Sequence, residues 1–213
     1  MGTGLVLDGA RVPLAGIDVV NFYDDPTLAL RIGNDGRARR PGEKIAHVGL
    51  HSTRGVPGGR DQRPQVLHPG RGPVGDAAEA NARYWRRAPS CAGAVLVVDY
   101  DGSVVCTADV ARVVSYHAPA INSSAIGVEI VQGSDAGFYE AQMATVVALC
   151  ELFAARFGLP RTVQWPYRGA GAAVATAVGH RDVDDNRGKG DPGDFPYQAL
   201  VAAGWTPVDR GHK

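Results

Sequence analysis

The stretch GHRDVDDNRGKGDPG, residues 179–193, holds a histidine, a lysine, two arginines and four aspartates among glycines and a proline. It is too glycine-rich to be a helix, so its charged groups are displayed on turns. His180 ends an apolar, strand-like run, and Asp191 follows in a Gly/Pro loop that can fold back and set a carboxylate beside an imidazole. That pair suggests a metal site. A catalytic zinc takes three protein ligands and keeps one position open, so a third ligand must come from another strand end. His47, His51, His68, His117 and His212 are the other histidines. His212 lies in the tail and His68 in a long loop. His47 and His51 share strand parity and would point to one face. Asp182, Asp184 and Asp185 read as solvated turn residues.

Two other motif readings fail on spacing. HRDVDDN is one residue short of the kinase H-R-D-x-x-x-x-N loop, Gly193-Asp194-Phe195 is not D-F-G, and no Gly-rich ATP loop precedes it. GAGAAV at 169–174 lacks the third glycine of a dinucleotide fingerprint and follows no strand, and no P-loop occurs.

The elements that must position these groups follow from periodicity and turn residues. GIDVVNF (16–22), KIAHVGLHST (44–53), AIGVEIV (125–131) and AVATAVGH (173–180) read as strands. GAVLVVDYDGSVVCTAD (93–109) reads as two strands around the hairpin dipeptide Asp101-Gly102. Residues 76–88 read as a helix opened by Asp76 as N-cap, 137–158 as the longest helix ending at Gly158, and 195–205 as a closing helix. Residues 23–44 read as turns, and the Gly/Pro-rich 55–75 segment as a long loop of the functional, disordered or lid kind. Strands interleaved with helices and no composition break predict one α/β domain over 1–213, a central mixed sheet flanked by helices.

The bulk numbers narrow the function. Lys+Arg and Asp+Glu both number 22, so the formal net charge is zero and no basic surplus is available for nucleic-acid phosphates. Apolar residues make up 45% of the chain, enough for a sizeable core. No run approaches the ~20 apolar residues of a membrane span. Cys91, Cys106 and Cys150 form neither a disulfide framework nor a thiolate zinc site. The N-terminal MGTGLVLDGARV has no basic n-region and reads as no signal peptide. A chain made in the cytoplasm and acting after release or secretion is expected, as a monomer.

Four blocks, in order, resemble the zinc-dependent N-acetylmuramoyl-L-alanine amidase family, which includes phage T7 lysozyme, the anhydro-muropeptide amidases and the peptidoglycan recognition proteins. HVGLHST is similar to its strand-end I-H-x-T motif, and GAVLVVDYDGSV to its central strand and hairpin. YHAPAINSSAIGVEIV is similar to H-A-x-x-x-N-x-x-S-I-G-I-E, and GHRDVDDNRGKGDPGDFPYQAL to its G-H-x-D…R-K-x-D-P-G-x-x-F…L ending. The blocks cover roughly 44–204, with 1–43 an N-terminal extension packed on or part of the domain. The resemblance implies a zinc site in a surface groove, with His51, His180 and Asp191 as ligands. It implies Glu129 as the residue that handles the attacking water and Lys189 as the cation for the oxyanion. His117 and Asn122 are implied as substrate-binding, with His117 a pocket residue and not a ligand. Peptidoglycan or muropeptides are the implied partner and Zn2+ the cofactor.

The chain departs from the family at Ala94 and Val95, where a Tyr or Ser and a His are common. The interval from His180 to Lys189 is longer, and 55–75 and 164–173 have no counterpart. Two competing classes remain open. One is a recognition module that keeps the groove but does not cleave, although such members lose a ligand. The other is a two-His-one-carboxylate iron oxygenase, whose usual jelly roll the long 137–158 helix argues against.

Overall fold

Along 47–52 and 125–130, large apolar residues alternate with glycine, alanine, histidine or glutamate, and that period of two suits a strand that is apolar on one face. The computed structural model describes residues 4–53, 66–87, 93–133, 135, 137–184 and 190–211. In chain order its elements are β1 (Leu5–Leu7), β2 (Ala10–Val12), β3 (Val19–Asn21), β4 (Gly36–Ala38), β5 (His47–Ser52), β6 (Val66–His68), α1 (Ala77–Arg87), β7 (Leu96–Val98) and β8 (Val104–Cys106). They continue with β9 (Val113–Ser115), β10 (Ala125–Ile130), β11 (Gly137–Tyr139), α2 (Glu140–Phe157), β12 (Thr162–Gln164), β13 (Ala177–Gly179), α3 (His180–Val183), α4 (Phe195–Ala202) and β14 (Thr206–Val208). The central sheet has eight strands in the order β14-β12-β13-β5-β10-β7-β8-β3. All its pairs are parallel except the β7–β8 hairpin. It is the mixed sheet of a single α/β domain, as the sequence predicts.

Parity divides the sheet into two working faces. Val48, Leu50, Ile126, Val128, Ile130, Leu96 and Val98 form one core with Phe138, Met143, Val146, Leu149, Cys150 and Phe153, so α2 covers that face. Burying each such side chain is worth about 1.5–3 kcal/mol. On the other face α1 sets Ala78 and Ala82 against Val97, Val105 and Phe22. Farther along, Ala118 and Ile121 pack with Ala125, Ala175, Val178 and Val183. Between these two patches the face carries Gly49, His51, Gly127 and Glu129. No helix of the described residues is long and apolar enough to cross a membrane.

Local signals were overridden in three places. The 137–158 run starts as strand β11, paired with β6, and turns helical only at Glu140. There the Gln142 side chain accepts the Tyr139 N–H at 2.9 Å and donates to the Val131 carbonyl at 2.7 Å, tying the helix start to the end of β10. At α1, the carboxylate that accepts the Ala78 N–H belongs to Asp99, on the β7–β8 turn, rather than to Asp76. β12 forms at 162–164, where no element was expected from the sequence.

The N-terminal segment is a β1–β2 hairpin turned at Asp8-Gly9, both with positive φ (54° and 78°). Leu5, Val6 and Leu7 are buried in the main core. The buried Asp109 carboxylate holds the turn, accepting the N–H groups of Asp8 (2.9 Å), Gly9 (2.7 Å) and Ala111 (3.0 Å). Asp109→Ala strands these donors, and hydrogen bonds to a charged acceptor are worth about 1.5–3 kcal/mol each. The expected outcome is a loss of about 3 kcal/mol in urea unfolding, and a change below about 0.5 kcal/mol, the range of ordinary surface substitutions, contradicts this role.

Candidate metal centre

Two neighbouring parallel strands deliver two histidines. β5 ends on His51 and Ser52, and β13, paired with β5 through Gly179 opposite Leu50, ends one residue before His180. The single turn of α3 that follows is built by Asp182. Its Oδ2 accepts the Gly179 N–H at 2.8 Å and the Tyr197 hydroxyl at 2.7 Å. A Cβ on residue 179 would fall 1.9 Å from the Tyr197 oxygen, so only glycine fits there. Asp182 is 1% exposed, which corrects its reading as a solvated turn residue. Burial raises its carboxyl above the usual range against the pull of those hydrogen bonds. Asp184 is half-buried, its Oδ2 3.7 Å from His180 Nε2, and Asp185 lies outside the described residues.

The loop returns to the site through the Arg181 N–H, which donates to the Asp191 carbonyl at 3.1 Å. The Arg181 guanidinium lies over the rings of Tyr167 and Tyr197, 4.9 Å from each centroid, and pairs with Asp194 at 2.5 Å. Arg210 donates to the carbonyls of Asp182 and Arg168, bracing the same segment from the C-terminal side.

His51, His180 and Asp191 converge. His51 Nδ1 lies 3.5 Å from Asp191 Oδ2, and His180 Nδ1 lies 3.6 Å from the same oxygen. The three residues are 3%, 4% and 4% exposed, and one ligand atom from each falls within 4.8 Å of the others. Ligands at about 2.0–2.1 Å from a tetrahedral zinc stand about 3.3–3.4 Å apart, close to these separations. His180 Nδ1 and Asp191 Oδ1 are buried without a hydrogen-bond partner among the described residues. Buried polar atoms are normally paired, and a divalent ion would satisfy both, so the donor set fits a zinc ion. Burial opposes ionisation of Asp191, but hydrogen bonds and charge from His180 and His51 hold its carboxyl well below the usual range.

The other candidates fall around this cluster. Glu129 is the register partner of His51 on β10, so the two side chains leave the same face of the sheet one strand apart. His117 lies against the backbone of Gly49 and Gly127, with Nδ1 2.9 Å from His51 Nε2. Burial first, then His51 and His180, push its pKa well below the ordinary imidazole value. Asn122 turns its side-chain oxygen to the N–H groups of His117 (2.9 Å) and Ala118 (2.7 Å). His47 donates its Nδ1–H to the Ala175 carbonyl at 2.7 Å, and His68 pairs with Asp135 at 2.8 Å, so neither joins the cluster. Lys189 and His212 lie outside the described residues. Ala94 and Val95 are buried apolar positions. The Asp182 clamp was missed from sequence, although Gly-His-Arg-Asp carries the signal: an acidic residue at the third helical position reaching back to the first orphan N–H.

The model of the N-acetylmuramoyl-L-alanine amidase family matches residues 42–194. No curated protein matches the chain. Among solved structures, the N-acetylmuramoyl-L-alanine amidase LysC from Clostridium intestinale URNW is 14% identical with a TM-score of 0.51, over 88% of this chain and 97% of that one. The endolysin amidase LysCS from the same organism is 15% identical with a TM-score of 0.48, over 88% and 95%. A mutant endolysin from Bacillus subtilis is 16% identical with a TM-score of 0.48, over 88% and 95%. The LysC likeness extends to the fold.

The depressed basicity of His117 has a measurable consequence in metal-free protein. An unfolded histidine takes up its proton near pH 6.5, whereas folded His117 does not, so the unfolded state binds more protons at lower pH. Stability conferred by a neutral His117 is therefore present above about pH 6.5 and falls below it, by at most about 1.4 kcal/mol per pH unit. Its ring NMR signals are expected to stay flat between pH 7.5 and 5.5. A midpoint near 6.5 would contradict the environment described.

Proposed function

The chain belongs to the N-acetylmuramoyl-L-alanine amidase family and is a peptidoglycan amidase; from that premise we propose that it is a zinc hydrolase. In this reading it cuts the amide between the lactyl group of N-acetylmuramic acid and L-alanine, with His51, His180 and Asp191 holding the ion. The observation that carries the reading is the buried convergence of those three side chains, both histidines standing 3.5–3.6 Å from Asp191 Oδ2. Zinc bound there would act as a Lewis acid and lower the pKa of a water to about 7.

The chain's own residues do the rest. Glu129 leaves the same sheet face as His51 and accepts the proton of the attacking water. As the water oxygen bonds to the carbonyl carbon and the C–N bond breaks, Glu129 passes that proton to the departing amine of L-alanine. Lys189, two residues before Asp191, brings its ammonium to the charge that grows on the carbonyl oxygen. His51 and His180 present ring lone pairs to the ion, and the Asp182 clamp holds His180 in place. We further propose that the chain meets the wall after release or secretion, as an endolysin or antibacterial effector does, or meets it as fragments in recycling.

Digestion of purified peptidoglycan followed by mass spectrometry tests the activity. One cut is expected, freeing stem peptides with an N-terminal L-alanine, abolished by a chelator and restored by zinc. Intact muropeptides after prolonged incubation of zinc-loaded protein, with tight binding retained, would make it a recognition module instead.

Metal analysis is expected to find about one zinc per chain, the count of a single three-ligand site. His51→Ala, His180→Ala and Asp191→Ala should each lose it, and full zinc in His180→Ala would remove that ligand. Glu129→Ala should keep zinc and lose about 10²–10⁴-fold in turnover; unchanged turnover rules out Glu129 as the base. Lys189→Ala should lower kcat and kcat/KM together, by about 10²-fold, with little change in KM. Lys189→Arg should rescue only in part, since a planar guanidinium does not place charge where a compact ammonium does.

A further inference from the structure

We propose that His117 is a positioning residue for the metal centre: its Nδ1 accepts the Nε2–H of His51 and sets that ring in the one tautomer and orientation that turn the Nδ1 lone pair toward a metal. This rests on the zinc reading above and replaces the substrate-binding role expected for His117. A neutral imidazole carries one N–H, and a ligating nitrogen must keep its lone pair. The His51 nitrogen that faces Asp191 is Nδ1, at 3.5 Å, so the proton belongs on Nε2. What lies 2.9 Å from Nε2 is His117 Nδ1, with the two rings perpendicular and their centroids 5.0 Å apart. For this contact to be a hydrogen bond, His117 must accept, and its own proton sits on Nε2. Ligating histidines are commonly held through their second nitrogen in this way.

The surroundings of His117 are built to keep that contact. Gly49 and Gly127 are register partners on adjacent strands, each two residues before a group proposed to act at the site, His51 and Glu129. A Cβ on Gly49 would fall 2.7 Å from the His117 ring, and one on Gly127 2.8 Å from it. The two glycines thus form a slot on the sheet face that the imidazole fills. Asn122 holds the backbone of 117 and 118, and Ala118 and Ile121 are buried beneath the same loop. Arg39 donates to the carbonyls of Ala111 and Ser123 on either side of the segment.

Packing alone does not account for a histidine there. His117 Nε2 is buried without a partner among the described residues, so the ring carries a polar cost that phenylalanine would avoid. Nor is His117 placed as a ligand, because its near nitrogen meets the side of His51 that faces away from Asp191.

The test is zinc affinity by chelator competition in wild type, His117→Phe, His117→Asn and His117→Leu, with circular dichroism and Tm as controls for folding. His117→Phe fills the slot without an acceptor and should weaken zinc by about 10–100-fold. His117→Asn places its amide oxygen where Nδ1 stood and should recover much of that loss. Asn and Leu are nearly equal in size, so that pair carries the comparison if the Phe variant does not fold. Nitrogen-15 NMR of the His51 ring should show Nε2 protonated in wild type and mixed tautomers in His117→Leu. Zinc held equally by folded Phe and wild-type proteins, or equally by Asn and Leu, overturns the inference while leaving the zinc site intact. Wild type with no zinc affinity overturns the zinc reading itself, and this inference with it.

Discussion

The parallel pairing of β5 with β10 sets His51 beside Glu129 and Gly49 beside Gly127, and the site depends on that register. Side chains alternate faces along a strand, so a slip of one residue would move every one of them to the opposite side. It is prevented by Val48, Leu50, Ile126, Val128 and Ile130, which the same slip would pull out of the α2 core. The hydrophobic face thus specifies the polar one. The residues that bury apolar area keep the histidine and glutamate aligned, without any direct bond being required for the purpose.

A second constraint is the cost of concentrating polar groups out of water. Two histidines and an aspartate, nearly fully buried, stand within 4.8 Å, with two of their polar atoms unpaired among the described residues. Unpaired buried groups of this kind cost free energy in the metal-free fold. An ion that binds only the folded chain offsets that cost, so metal and stability are linked. The frame around the cluster is correspondingly stiff. Asp182 ties β13 to α4 through Gly179 and Tyr197, and Arg181 is sandwiched with Tyr167 and Tyr197. Residues that look like loop charges in the sequence are structural members here.

The N-terminal segment illustrates the same division of labour at a distance from the site. Leu5–Leu7 completes the α2-side core, and its hairpin turn is held by Asp109, about a hundred residues away in the chain. Its place in the core depends on a carboxylate that no local window contains.

Much was legible in the sequence because it is local. Period-two alternation marks β5 and β10, Asp101-Gly102 marks the hairpin between β7 and β8, and Gly158 with φ 65° ends α2. The ordered blocks around His51, Glu129, His180 and Asp191 pointed to one family. What the sequence could not supply was distance between remote residues. That His51, not His47, meets His180 and Asp191 follows from where β5 ends against β13. That Asp182 is a buried clamp, that Asp99 rather than Asp76 meets the start of α1, and that His117 sits on two glycines all depend on contacts between separate segments. Residue type and spacing determine which groups are available for chemistry; sheet register and burial decide which of them touch, because those are set by the packing of the whole chain.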